Sequence, residues 1–112
     1  MPLIEIRALP QPASVDVAHV VRRVTHDVTA ALGARSDAVW VTWSTIDGPY
    51  AVGDDVRAEQ PPGSHAPLVH VYARRTQAEL EAICGAIERA LVEELALERE
   101  NVFVTVQPVW SA

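Results

Sequence analysis

Apolar and polar residues alternate over residues 3–8, Leu3-Ile4-Glu5-Ile6-Arg7-Ala8, and a period of two in branched apolar types predicts a short β-strand that Pro10 and Pro12 stop. The period then changes. Val17, Val20, Val21, Val24, Val28, Ala31 and Leu32 recur at spacings of three and four, predicting an amphipathic helix with Ser14 as its N-cap and Gly33 as its C-terminal stop. Residues 38–46, dense in Val, Trp and Thr, predict a second strand, and Asp47-Gly48-Pro49 predicts a turn after it. The acidic, Pro-containing segment from Gly53 to Ala66 predicts a loop. A third strand follows at 67–73. Thr76-Gln77-Ala78-Glu79 has the spacing of a capping box, and Leu80, Ile83, Cys84, Ile87, Leu91 and Leu95 form the apolar stripe of a second helix. A fourth strand at 102–107 ends at Pro108, leaving a short tail from Val109 to Ala112.

The two halves of this pattern are copies. Pro2-Leu3-Ile4-Glu5-Ile6-Arg7-Ala8 returns as Pro67-Leu68-Val69-His70-Val71-Tyr72-Ala73, an offset of 65 residues, and Val39-Trp40-Val41-Thr42-Trp43 returns as Val102-Phe103-Val104-Thr105-Val106 at an offset of 63. Within 112 residues there is material for one core and no surplus for two. The expectation is a single α/β domain over residues 1–112, built from half-units 2–53 and 67–110 joined by a linker at 54–66. Strands joined through helices pair in parallel, so each β-α-β unit contributes two parallel strands to a four-stranded sheet with both helices on one face. Apolar residues on both sides of the strands leave the other face in need of cover, which predicts subunit association.

The formal net charge is −6 and no Lys/Arg run is present, which argues against a nucleic-acid partner or an anionic membrane surface. Cys84 is the one cysteine, so no internal disulfide or thiolate metal site is available, and it reads as core. No apolar run is long enough to span a bilayer and no signal-peptide pattern opens the chain, so a cytoplasmic location is expected. His19 and His26 are seven apart, whereas a helical metal pair needs a spacing near four. His65 falls in the linker and His70 in a strand. With no Gly-rich phosphate loop and no nucleophile motif, the expectation is chemistry without metal or cofactor.

The asymmetry between the copies carries the candidate chemistry. Only Pro2 can become an amino-terminal secondary amine, by removal of Met1; with Met1 in place its nitrogen is an amide without basicity. An α-amine titrates nearer neutrality than a lysine, and burial beside a cation disfavours its charged form further, so such an amine can take a proton from a carbon next to a carbonyl. Arg74 and Arg75 lie between a strand end and a helix N-cap, where a guanidinium can hold a carboxylate bidentately. Trp43 and Tyr50 either line an apolar pocket around Pro2 or pack at a subunit interface.

Pro2-Leu3-Ile4-Glu5-Ile6, Gly48-Pro49-Tyr50-Ala51-Val52-Gly53 and Ala73-Arg74-Arg75-Thr76, in this order on a duplicated frame, resemble the tautomerase superfamily over nearly the whole chain. The Gly-x-aromatic-x-x-Gly hairpin is similar to that of the 4-oxalocrotonate tautomerase group. The resemblance implies a homotrimer, a catalytic Pro2, and Arg75 as the arginine preceding the Thr that opens the second helix. Asp37 resembles the aspartate of malonate semialdehyde decarboxylases; on its own terms it reads first as a polar residue closing the Gly33-to-Ser36 turn. The departures matter as much. Leu9-Pro10 and Val39-Trp40 stand where arginines are expected, so a clamp for two carboxylates is incomplete. Gln107-Pro108 stands where the cis-3-chloroacrylic acid dehalogenase group has a water-activating glutamate. The expected activity is tautomerisation of a small 2-oxo acid, with decarboxylation of a 3-oxo acid and a catalytically silent trimeric module as alternatives.

Overall fold

The computed structural model describes residues 2–59 and 66–109; Met1, most of the second half of the linker with His65, and Trp110 to Ala112 lie outside the described residues. The chain runs β1 (Pro2–Ala8), α1 (Val17–Leu32), β2 (Trp40–Thr45), β3 (Tyr50–Val52), β4 (Asp55–Arg57), β5 (Leu68–Ala73), α2 (Gln77–Leu95) and β6 (Phe103–Pro108). β2, β1, β5 and β6 form one sheet in that order, with β1 parallel to β2, β5 parallel to β6, and the two halves joined by the antiparallel pair β1 and β5.

Alternation decides which residues enter the core. Ile4 and Ile6 of β1 and Val69 and Val71 of β5 turn to the helix side and are buried, where they meet Val20, Val24 and Val28 of α1 and Ile83, Ile87 and Leu91 of α2. On the other face Leu3, Glu5 and Arg7 line up with Leu68, His70 and Tyr72. Among the described residues that face has no layer of its own, and Trp40, Leu68 and Phe103 stand exposed on it.

The helix ends have local causes. α1 is capped by Asp16, whose carboxylate accepts from the His19 backbone N–H at 3.3 Å, in place of the expected Ser14. The Val15 N–H bonds the Pro12 carbonyl at 2.9 Å, so Ser14 is spent inside a turn and the extended backbone of Asp16 makes it the cap. Gly33 closes α1 at φ +62, a left-handed conformation that glycine takes without cost. At the start of α2 both hydrogen bonds of the capping box are made between Thr76 and Glu79. Ala96 ends α2 at φ 53, the left-handed position without the usual glycine.

Three segments depart from the sequence expectation. The segment expected as loop contains β4, which pairs antiparallel with β3 through a two-residue turn opened by Gly53 at φ 59. Three-residue strands without an apolar alternation leave no periodic signal. Residues 36–38 form a short 3-10 turn, so the second strand starts at Trp40 and not at 38, and residues 99–101 do the same before β6.

Candidate active site

The antiparallel register sets the site. Pro2 lies opposite Ala73 as the outermost pair of the β1–β5 ladder, so Arg74, Arg75 and the first turn of α2 emerge beside Pro2. β1 and β2 run parallel with Leu3 opposite Trp40, which brings the turn containing Asp37 to the same end. β6 finishes there too, with Gln107 opposite Tyr72 and Pro108 opposite Ala73, and the Val109 N–H bonding the Ala73 carbonyl at 3.3 Å. Thus Pro2, Arg74, Arg75 and Asp37, far apart in sequence, share one end of the sheet.

The Pro2 ring is fully buried at this end. Arg75 is three-quarters buried and donates from Nη1 to Glu79 Oε2 at 3.1 Å. The other oxygen of that carboxylate accepts from the Thr76 backbone N–H and hydroxyl, each at 3.1 Å. The bonds from Thr76, with a smaller contribution from Arg75, hold the Glu79 carboxyl below its ordinary range. Arg74 is exposed. Asp37 is exposed and accepts from Arg35 Nη2 at 2.9 Å, while its carbonyl receives the Trp40 indole N–H at 3.1 Å.

Trp43 and Tyr50 are placed elsewhere in the chain. Trp43 is opposite Ile6 and packs partly buried against the core beneath the helices. Tyr50 gives its hydroxyl to the Ala66 carbonyl at 3.0 Å, at the far end of β1 and β5. Six residue steps of β1 separate the two ends, roughly 20 Å at ~3.3 Å per residue. Glu79 is the residue that pattern reading missed in this role: it was legible as a helix cap, and its spacing of four from Arg75 is the signal that also joins it to the site.

A cavity of about 280 Å³ opens on the uncovered sheet face, lined by Glu5, Arg7, Leu68, His70, Tyr72 and Phe103 among others. Several polar groups on this face bond one another. His70 Nδ1 is 2.6 Å from Thr105 Oγ1 and its Nε2 is 3.2 Å from Gln107 Oε1, and a hydrogen bond to Glu5, then burial, pushes the Tyr72 phenol above its ordinary range. Among the described residues no group of three or more His, Cys, Asp or Glu side chains could hold a metal ion, and no helix is long and apolar enough to cross a membrane.

No family model and no curated protein matches the sequence. Solved structures do match the fold. A fused 4-OT asymmetric trimer superimposes with a TM-score of 0.78 over 96% of this chain and 85% of that one at 19% identity. The fold is that of the tautomerase superfamily. Pt0534 inactivated by 2-oxo-3-pentynoate matches with a TM-score of 0.73 at 16% identity, covering 96% of this chain and 85% of that one. Malonate semialdehyde decarboxylase matches with a TM-score of 0.71 at 16% identity, over 97% and 88% of the two chains. At such low identity the likeness is one of fold: the duplicated β-α-β frame, the four-stranded sheet and the layer of two helices.

Proposed function

We propose that this chain, once Met1 is removed, is a cofactor-independent tautomerase of a small 2-oxo acid. The observation that carries the reading is the pairing of Pro2 with Ala73, which puts the would-be amine next to Arg74, Arg75 and the start of α2. In this reading Arg75 holds the substrate carboxylate. The neutral Pro2 nitrogen accepts the proton of the enol side and returns it to the carbon adjacent to the new carbonyl. One O–H bond and one C=C bond give way to one C–H bond and one C=O bond, and no redox partner is needed. Arg74 stabilises negative charge on the enolate oxygen. Nearby positive charge and exclusion of water keep the amine neutral enough to begin the cycle.

The fold neighbours support chemistry of this general type: one is a 4-OT and another is inactivated by a 2-oxo acid derivative. They support a trimer as well, since a fused 4-OT forms one and this chain leaves Trp40 and Phe103 exposed at 57% and 64% on its uncovered sheet face. Assembly there would give the sheet its second layer; Trp43, on the helix side, stays outside that contact, and Tyr50 would act on a neighbouring copy's site or in the interface. Decarboxylation of a 3-oxo acid is the second reading, favoured by Asp37 at the Pro2 end and by the decarboxylase neighbour.

The test is ketonisation of phenylenolpyruvate and of a 2-hydroxydienoate by protein whose intact mass shows loss of Met1. Pro2→Ala should lower kcat about 100-fold or more, the usual scale of a removed acid-base group. Activity equal in the two proteins rejects the reading. Loss of 3-oxo acid decarboxylation in Asp37→Asn, with ketonisation absent from both, selects the second one. Binding and catalysis absent for every substrate leave the assembly module.

A further inference from the structure

Arginine is a long side chain, and fixing its guanidinium before substrate arrives costs rotamer entropy unless a partner has already done so. Glu79 is that partner for Arg75. One carboxylate oxygen is anchored by the backbone N–H and hydroxyl of Thr76, both part of the rigid first turn of α2, and the other accepts from Arg75 Nη1. The carboxylate is thus fixed by the helix and in turn fixes the guanidinium, which has five N–H donors and gives one of them to this bond. A surface ion pair four residues apart ordinarily contributes little. This pair differs because Arg75 is only 25% exposed and because the acceptor is itself held at two points.

We propose that Glu79 is a positioning residue for Arg75, holding the guanidinium beside Pro2 in the orientation that receives the carboxylate of a 2-oxo acid. The inference rests on Arg75 being the carboxylate-binding group. Glu79 has no contact with substrate in this scheme; its effect is transmitted through Arg75 alone.

The decisive variant is Glu79→Asp, which keeps the charge at the helix N-terminus but is one methylene too short to reach Thr76 and Arg75 together. The Kd for phenylpyruvate is measured by calorimetry on protein lacking Met1, beside KM and kcat for phenylenolpyruvate. Glu79→Asp should raise Kd and KM about three- to tenfold, the range of coupling between directly bonded neighbours, and leave kcat within about twofold. In an Arg75→Gln background the same change should have no effect on Kd. An unchanged Kd in Glu79→Asp, with Kd raised by Arg75→Gln, overturns the positioning role and leaves the carboxylate reading intact. An effect that persists in the Arg75→Gln background assigns Glu79 to helix capping alone and overturns it also. If Arg75→Gln leaves Kd unchanged, or phenylpyruvate does not bind, the carboxylate reading falls and this inference with it.

Discussion

Glu5 and His70 are partners twice over: they face each other in the β1–β5 ladder, and each is the other's counterpart in the sequence repeat. A pseudo-twofold axis therefore passes through this pair and relates the two ends of the sheet. The counterpart of Pro2 is Pro67, and the counterparts of Arg74 and Arg75 are Leu9 and Pro10. The Pro67 end thus lacks counterparts of the terminal amine and of Arg74 and Arg75, and Tyr50 bonds the backbone at Ala66 just before it. Pro67→Ala should leave kcat and KM for ketonisation within about twofold of wild type, while Pro2→Ala removes about 100-fold or more. Parallel assays of the two variants check this, and a large loss in Pro67→Ala would contradict the assignment of chemistry to one end only.

The Glu79 carboxyl is held below its usual value of 4.5 in the folded chain, chiefly by Thr76. A lowered folded value means that this group stabilises the fold above pH 4.5 and that the contribution disappears as the pH falls through the lowered value. Urea unfolding of wild type and Glu79→Gln should differ most near neutrality and converge on acidification below about pH 4.5. A gap that is constant with pH would assign the effect to packing.

Arg23 joins the two helices across the outer surface. It donates to Asp27 within α1 and to Glu93 and Glu94 of α2, with His19 Nε2 3.1 Å from Glu94, and those carboxylates raise its pKa above the ordinary value. Arg23→Met leaves three carboxylates close together without a shared cation. We expect a loss of about 1 kcal/mol, a modest figure because the network is partly solvated, and a loss that shrinks at high salt. Thermal unfolding at low and high sodium chloride measures both parts.

Ala96 holds a left-handed conformation at φ 53 to end α2, and its N–H bonds the Val92 carbonyl. A Cβ in that region costs on the order of 1 kcal/mol, which glycine avoids. Ala96→Gly should therefore raise stability by about 0.5 kcal/mol after the larger unfolded-state entropy of glycine is counted. Chemical denaturation gives the sign directly.

Phe103 stands 64% exposed on the uncovered face beside Leu68. If copies of this chain assemble through that face, Phe103→Lys should shift the protein toward monomer in sedimentation at micromolar concentration, with the helical signal retained. An unchanged mass would place the subunit contact elsewhere.

Both helices were legible because each has an unbroken 3.6-residue stripe and strong end signals, Gly33 for one and Thr76-to-Glu79 for the other. Strands β1 and β5 were legible because the duplication exposes them twice. Ser14 failed as a cap because a hydrogen bond from Val15 to Pro12 draws it into a turn, and that bond depends on how the chain leaves β1. β4 was invisible because Asp55-Val56-Arg57 has no periodicity of its own and becomes a strand only by pairing with β3.

The site divides in the same way. Local sequence suffices to nominate Pro2, Arg74 and Arg75, since a penultimate proline and arginines before a helix cap are distinctive in themselves. Their meeting is not local. It follows from the antiparallel register of β1 with β5, fixed by which apolar residues must face the helices, because a slip by one residue would turn Ile4 and Ile6 to solvent. Sequence alone determined the two helices, the four strands of the main sheet, the repeat and the residue types, all properties of neighbouring positions on the chain. Tertiary structure alone decided that Pro2 and Arg75 share one end of the sheet and that Tyr50 sits at the opposite end, because each is a relation between segments that only the packed sheet brings into register, whereas the Arg75–Glu79 bond is local to the start of α2.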